Sequence, residues 1–138
     1  MRVLAYHRVE PLRDLAWNRV SPGRLERQMR ILERAGRRGV PLRELGSGAP
    51  GSEVAITFDD ALADAVRFAL PILGRFRFRA TVFVPTAWVG LPNDWDTRIA
   101  GRPVRHASWE EIRAAAAAGW EIGSHGHTHR DLTSLEDA

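Results

Sequence analysis

The fold class follows from the stretch EVAITFDD at residues 53–60. Its first six residues are mostly β-branched, aromatic or apolar, which predicts a strand, and the two aspartates end it. Residues 61–73 predict a helix that Pro71 kinks, and the apolar run ATVFV at 80–84 predicts a strand buried on both faces. A strand, a helix and a strand in this order indicate parallel pairing across a helical crossover.

The alternation of strands and helices extends toward the amino terminus. Residues 2–6 predict a short buried strand, and residues 8–20 are expected to be irregular. Ser21 then offers a capping side chain, and Pro22 is suited to the first position of a helix. A further helix is therefore expected before the strand at 53–58.

The alternation also extends toward the carboxyl terminus. Residues 85–107 predict a long loop of the kind that carries functional groups. Ser108 followed by Glu111 forms a capping box that begins a helix, residues 120–123 predict a strand, and residues 132–138 predict the start of another helix. This order predicts an α/β fold with a parallel sheet or barrel, and such folds place their sites at the carboxyl ends of the strands.

Composition restricts the class of protein. The 138 residues are 44% hydrophobic and 27% charged, which fits a single globular domain over residues 1–138. The absence of cysteine excludes disulfides and thiolate metal ligands. All 20 basic residues are arginine, but 17 acids are scattered among them and no nucleic-acid-binding motif accompanies them. We therefore expect no nucleic-acid partner.

The sequence also bears on membranes and targeting. It contains no apolar run of the roughly 18 residues that a membrane span needs. The opening MRVLAYHRVE has only VLAY before His7, which is too short for the core of a signal peptide. The sequence shows no signal peptide and no membrane span, so it is cytoplasmic as written and its location is otherwise left open.

Side chains suited to metal binding follow the predicted strands. His7 follows the first strand, Asp59 and Asp60 the second, Thr86 the third, and the run HGHTH at 125–129 the fourth. Because the carboxyl ends of parallel strands share one edge of a sheet, these residues are expected to lie close together. Paired aspartates after a strand also serve as helix caps, but three nearby histidines favour a metal site.

Two of these histidines have the spacing of metal ligands. His125 and His129, four residues apart, can face one cation from a single helical turn, and a carboxylate from a neighbouring strand end would complete a three-ligand set. Three protein ligands leave positions for water and substrate, as in catalytic rather than structural sites. His127 shares their face only if the segment is extended, since in a helical turn it points away.

Other side chains near this edge are candidates for binding a substrate. Trp88 and Trp95 lie in the long predicted loop, where they are expected either to stack on a sugar ring or to anchor the loop. His7 and Thr86 are further candidate substrate-binding residues because they follow predicted strands. His106, a lone histidine in a loop, is expected to be solvated or hydrogen-bonded and to have no role in the site.

Three segments resemble the polysaccharide deacetylases, the NodB-homology group of carbohydrate esterase family four. They are ITFDD at 56–60, ATVFVPT at 80–86 and EIGSHGHTHRDL at 121–132, and the segments at 3–9 and 108–125 are also similar to members of that family. The resemblance covers nearly the whole chain in the right order. It implies a parallel (β/α) barrel-type fold of which this chain supplies about the first half.

The resemblance also implies an activity and a role for each matching residue. Members are metal-dependent hydrolases that remove acetyl groups from N-acetylated or O-acetylated polysaccharide, the acetylated carbohydrate being the expected partner. The matching positions make Asp59 the general base and Asp60, His125 and His129 ligands of one divalent ion, zinc first among the candidates. His127 falls outside the ligand set. The ion would lower the pKa of bound water and polarise the carbonyl while the base takes the proton.

Two departures from the family pattern bear on these expectations. Ala61 stands where the first motif usually continues to glycine. The later motifs, which carry an arginine near the base, the acetyl pocket and a general-acid histidine, are missing from the chain. The sequence therefore predicts a partial domain that self-associates or lacks its carboxyl-terminal half.

A second function fits the same sequence. A chain without the later motifs would be a catalytically inactive fragment, or a domain that binds metal or glycan without turnover. Measured acetate release would separate this function from the enzymatic one. A metallo-β-lactamase-like hydrolase is disfavoured, because its H-x-H pattern continues to aspartate and histidine, where this chain has Thr128 and His129.

Overall fold

The computed structural model describes residues 2–11, 19–49, 51–93, 104–131 and 133. In chain order the strands are β1 (Val3–Tyr6), β2 (Arg8–Val9), β3 (Arg19–Val20), β4 (Arg38–Val40), β5 (Glu53–Phe58), β6 (Thr81–Val84) and β7 (Glu121–Ser124). The helices are α1 (Pro22–Arg34), α2 (Ala63–Arg75) and α3 (Trp109–Ala117). None of the helices in these described residues has the length and apolar character needed to cross a bilayer.

Five of the strands form one parallel sheet around β5. β1 lies on one side of β5 and β4 on the other, because Ala55 is paired with both Val3 and Val40. β6 pairs with the carboxyl-terminal end of β5, after the residues that pair with β4, and β7 pairs with β6. Since every pairing is parallel, the carboxyl ends of these strands share one edge. The predicted α/β fold with a parallel sheet is confirmed.

Helix α1 begins where the sequence predicts. The Oγ atom of Ser21 accepts a hydrogen bond from the amide of Arg24 at 3.3 Å, and Pro22 occupies the first turn. Leu25 and Met29, one turn apart on the same face, are fully buried in the core. The cap therefore fixes the start of the helix, and the apolar stripe fixes the face that packs inward.

Helix α2 begins two residues later than the sequence predicts. Asp60 and Ala61 have φ values of 64° and 45°, which lie in the left-handed region and are incompatible with a right-handed helix. Helical backbone therefore starts only at Ala63. The helix continues past the exposed Pro71 to Arg75, and its other face supplies much of the core.

Helix α3 is fixed at its start by the predicted capping box. The Oγ atom of Ser108 accepts from the amide of Glu111 at 3.3 Å, and the Glu111 carboxylate accepts from the Ser108 amide at 2.8 Å. Arg105 donates to both carboxylate oxygens at 2.7 Å, and this hydrogen bonding lowers the pKa of Glu111. The chain turns at Gly119, where φ is 85°, and enters β7. The capped helix thus positions the strand that carries the histidine-rich loop.

Two predictions about the strands are wrong, and one strand was not predicted. β1 is an outer strand of the described sheet with Val3 44% exposed, so it is not buried. β4 is missing from the prediction because three residues between a helix and a turn are too few to show the alternation of apolar and polar side chains that marks a strand. Residues 8–20 are not wholly irregular, since β2 and β3 pair within them. The helix predicted at 132–138 is untested, because the structure describes only Thr133 of that segment.

Tyr6 is the one tyrosine of the chain, so its ionisation can be followed alone. Its hydroxyl donates to Gln28 Oε1 at 2.9 Å, and burial raises its pKa to about 12. An unfolded tyrosine ionises near pH 10. We therefore expect the phenolate absorbance of the folded chain to rise with a midpoint near pH 12. The free energy of unfolding should fall as the pH rises from about 10 to 12.

The control for this titration is the urea-unfolded chain, in which Tyr6 is expected to ionise near pH 10. A folded chain whose tyrosine titrates at the same pH as the unfolded chain would contradict the buried position of the ring.

Candidate metal centre

The edge formed by the carboxyl ends of the strands carries most of the predicted site residues. They are His7 after β1, Asp59 and Asp60 after β5, Thr86 after β6, and residues 125–129 after β7. Backbone hydrogen bonds join these ends. The Asp59 amide donates to the Tyr6 oxygen at 2.8 Å, and the Thr86 amide donates to the Gly126 oxygen at 3.2 Å. The parallel sheet therefore brings residues from distant parts of the sequence to one place.

Asp60, His125 and His129 form a compact cluster. The Oδ1 atom of Asp60 lies 3.3 Å from His125 Nε2 and 3.1 Å from His129 Nε2. One possible ligand atom from each residue lies within 4.8 Å of the others. The Asp60 side chain is 6% exposed, whereas those of His125 and His129 are 36% and 32% exposed. The cluster is thus closed on its carboxylate side and open on its histidine side.

These three side chains fit a divalent metal ion. Tetrahedral zinc with bonds of about 2.0–2.2 Å to nitrogen and oxygen holds its ligand atoms about 3.3–3.6 Å apart, close to the two distances between Asp60 and the histidines. The buried Oδ1 of Asp60 accepts no hydrogen bond from any residue that the structure describes, although a buried carboxylate oxygen needs a partner. A cation bound by the three atoms would be that partner.

The turn at Asp60 separates the two aspartates. Because Asp60 has a left-handed backbone conformation, its carboxylate joins the histidine cluster while that of Asp59 takes another direction. The Oδ2 atom of Asp59 lies 3.7 Å from His7 Nε2. The side chains of this second pair are 24% and 39% exposed. A solvent-accessible carboxylate and imidazole therefore lie at the same edge of the sheet as the ligand cluster.

Two candidate substrate-binding residues contact the loop that carries the histidines. The Oγ1 atom of Thr86 lies 2.9 Å from His127 Nδ1, and Trp88 Nε1 donates to the backbone oxygen of Thr128 at 3.2 Å. The segment after β6 thus anchors the middle of the loop, between the two histidines of the cluster. Trp95, the remaining candidate, lies outside the described residues.

His106 is a part of this region that the sequence analysis did not assign to the site. It is hydrogen-bonded, as expected, but it is buried and not solvated, with an exposed fraction of 1%. Its Nδ1 atom lies 2.6 Å from the backbone oxygen of Asp60. A single histidine far along the chain from the aspartates carries no local pattern that could reveal this contact.

Comparison with protein families adds an independent observation. The family described as polysaccharide deacetylase matches residues 46–138, which include both aspartates and the histidine loop. The chain belongs to the polysaccharide deacetylase family. The resemblance seen in the sequence is therefore confirmed, while no curated protein matches the chain.

Solved structures show how much of the deacetylase fold the chain contains. IcaB from Ammonifex degensii is 29% identical with a TM-score of 0.74, over 90% of this chain and 52% of its own. The Streptococcus pyogenes deacetylase PplD, solved in complex with acetate, is 20% identical with a TM-score of 0.78, over 99% and 60%. A de-N-acetylase from Aggregatibacter actinomycetemcomitans is 24% identical with a TM-score of 0.69, over 90% and 53%. This deacetylase-family chain thus spans about half the length of the structures it matches.

Proposed function

We propose that this chain acts in the metal-dependent removal of acetyl groups from an acetylated polysaccharide, with N-acetylated sugars as the preferred class. The observation that carries the proposal is the cluster of Asp60, His125 and His129, with the partly exposed carboxylate of Asp59 on the residue next to Asp60. Such an arrangement combines a place for one divalent ion with a carboxylate suited to proton transfer. The similarity to a deacetylase and a de-N-acetylase supports the same reaction.

Asp60, His125 and His129 would hold the ion, for which we propose zinc because two imidazoles and one carboxylate suit it. When bound, such an ion lowers the pKa of a coordinated water and polarises the acetyl carbonyl. The partly exposed imidazoles leave the solvent side of the cluster accessible to an acetyl group.

Asp59 would act as the general base. Its carboxylate is partly exposed, so that an attacking water can reach it, and it belongs to the residue next to the proposed ligand Asp60. His7 lies 3.7 Å from this carboxylate, where we propose that it contacts the substrate and returns a proton to the leaving nitrogen. A neutral imidazole can pass this proton on, because one ring nitrogen would accept the proton that Asp59 took from the water while the other would donate its own proton to the leaving nitrogen.

Thr86 and Trp88 remain proposed substrate contacts. Thr86 is exposed and Trp88 is half-buried at the mouth of the histidine loop, so an extended sugar chain that reaches the cluster would pass near both. The indole face is suited to the apolar face of a sugar ring.

A second candidate function is the binding of metal or glycan without turnover. One observation favours it: the chain spans only 52–60% of the IcaB and PplD structures. The remaining parts of those structures have no aligned counterpart here, and groups needed for turnover can lie in them.

Acetate release from an N-acetylglucosamine oligomer tests the proposal. The chain is stripped with a chelator and then assayed with and without added zinc. We expect acetate release that requires zinc and returns to the background of a protein-free reaction when chelator is restored. Zinc binding at one ion per chain without acetate release would indicate the second function. A folded chain that binds neither zinc nor the oligomer and releases no acetate would contradict both.

A further inference from the structure

His106 lies against the turn that carries Asp60. Its Nδ1 atom is 2.6 Å from the Asp60 backbone oxygen, and because a carbonyl oxygen can only accept, Nδ1 carries the proton and donates it. We propose that His106 is a positioning residue that holds the Asp60 carboxylate in place between His125 and His129. This inference rests on the proposed function, since it concerns the same metal centre.

The turn at Asp60 needs such support. Asp60 and Ala61 are consecutive residues other than glycine with φ values of 64° and 45°, a conformation that side chains with a Cβ atom disfavour. Strained backbone of this kind persists only where surrounding contacts hold it. If the turn relaxed, the Asp60 side chain would leave its position beside the histidines.

The segment 105–107 supplies the contacts, and we call it the turn clamp. Besides the bond from His106, the amide of Ala107 donates to the Ala61 oxygen at 2.7 Å, and the amide of Ala63 donates to the Arg105 oxygen at 2.9 Å. The two outer bonds join backbone to backbone. The bond to the Asp60 oxygen is the one that comes from a side chain, so it depends on the identity of residue 106.

His106 also connects the turn with the histidine loop. Its ring centroid lies 6.3 Å from that of Trp88, and Trp88 donates to the Thr128 oxygen between the two histidines of the cluster. Contacts therefore run from the Asp60 backbone through two buried or half-buried rings to the loop. His106 therefore lies between the turn that carries Asp60 and the loop that carries the two histidines. A residue in this position can set the distance between the carboxylate and the imidazoles.

Metal affinity distinguishes positioning from ordinary packing. Partners that orient metal ligands typically change affinity by about ten- to a hundred-fold when they are removed. A histidine that only fills space would lower the stability of the chain without changing affinity in the folded protein.

The test compares His106→Leu with His106→Asn in the whole chain. Leucine fills the space without a donor, whereas the asparagine amide nitrogen stands close to the position of Nδ1. We expect His106→Leu to raise the zinc dissociation constant about ten- to a hundred-fold in competition with a chromophoric chelator, and His106→Asn to stay within a few-fold of the native chain. Ile72→Val, a modest core change toward the end of α2, controls for lost stability and should leave zinc affinity unchanged.

Equal zinc affinity of His106→Leu and the native chain would overturn the proposal, as would an equal loss in His106→Leu and Ile72→Val. If His106→Leu does not fold, His106→Gln replaces it. The longer side chain of glutamine places its nitrogen nearer Nε2, and it should lose affinity relative to His106→Asn.

A second readout keeps this inference separate from the proposed function. If the native chain binds no zinc, the proposed metal site fails, and His106 is judged by hydrogen exchange of the Ala63 and Ala107 amides. Faster exchange in His106→Leu than in His106→Asn would support the turn clamp without a metal. Equal exchange in both variants would overturn it.

Discussion

Asp60→Asn is expected to weaken zinc binding by roughly a thousand-fold, because the substitution removes the charged ligand of a three-residue set. Asparagine keeps the size of the side chain, so the buried position between His125 and His129 stays filled. It also introduces an amide nitrogen that cannot bind a cation. The measurement is the zinc dissociation constant of the native and variant chains, obtained by competition with a chelator, with circular dichroism to show that both are folded.

Asp64→Asn is the matched control for this experiment. It makes the same chemical change four residues further along, in the first turn of α2 and outside the ligand cluster. We expect it to bind zinc as the native chain does. If Asp60→Asn and Asp64→Asn bound zinc equally well, the cluster would not be a metal centre, and His125 and His129 would instead pair with Asp60 directly.

Asp59→Asn is expected to lower the rate of acetate release about a hundred- to ten-thousand-fold, the range that a positioned general base supplies. Zinc affinity should change little, because the Asp59 carboxylate lies beside His7 and not within the ligand cluster. The measurement is acetate release from an N-acetylglucosamine oligomer at saturating zinc, with the dissociation constant for zinc determined on the same preparation.

Substitutions of the two neighbouring aspartates should thus both lower activity but differ in their effect on zinc binding. Asp60→Asn loses zinc and activity together, and added zinc restores part of the activity, whereas zinc has no such effect on Asp59→Asn. An Asp59→Asn chain that keeps full activity would show that another group removes the proton. One that loses zinc as severely as Asp60→Asn would show that both carboxylates bind the ion.

Much of the site could be predicted from the sequence because its residues follow strands. The apolar, β-branched runs at 53–58 and 80–84 mark buried strands whatever lies around them. Once these strands are parallel, their carboxyl ends must share an edge, and the aspartates and the loop 125–129 come together as a consequence. The spacing of His125 and His129 is also local information, but the helical turn expected for it is wrong, because Gly126 and His129 have φ values of 75° and 56° and the segment is an irregular loop.

The remaining features depend on contacts between distant parts of the chain. β4 is too short to show a period and exists because β5 pairs with it. The burial of β1 was predicted from its apolar residues, but burial depends on which strands and helices cover it, and the described structure leaves Val3 exposed. The late start of α2 follows from the turn at Asp60, where Ala61 occupies a backbone position that glycine would adopt more readily.

The contact between His106 and Asp60 also depends on parts of the chain that are distant in sequence. The predicted loop at 85–107 contains no periodic pattern, so nothing local shows that its last residues return to the end of β5. In the structure the return is fixed by an antiparallel bridge between Leu62 and His106. Only the tertiary fold brings this loop histidine into contact with the backbone of Asp60.

The proposed ligands follow the two strands that lie on either side of β6. Asp60 follows β5 and His125 follows β7, and these strands become neighbours of the same site only after β6 has paired between them. At the proposed metal centre, tight zinc uptake would therefore require the sheet to be assembled as far as β7, and it would not precede the docking of that strand. During refolding, the appearance of zinc binding would report when β7 joins the sheet, and not when the chain first collapses. An ion bound at that point would stabilise the pairing of β7 with β6 and slow the dissociation of β7 from the sheet.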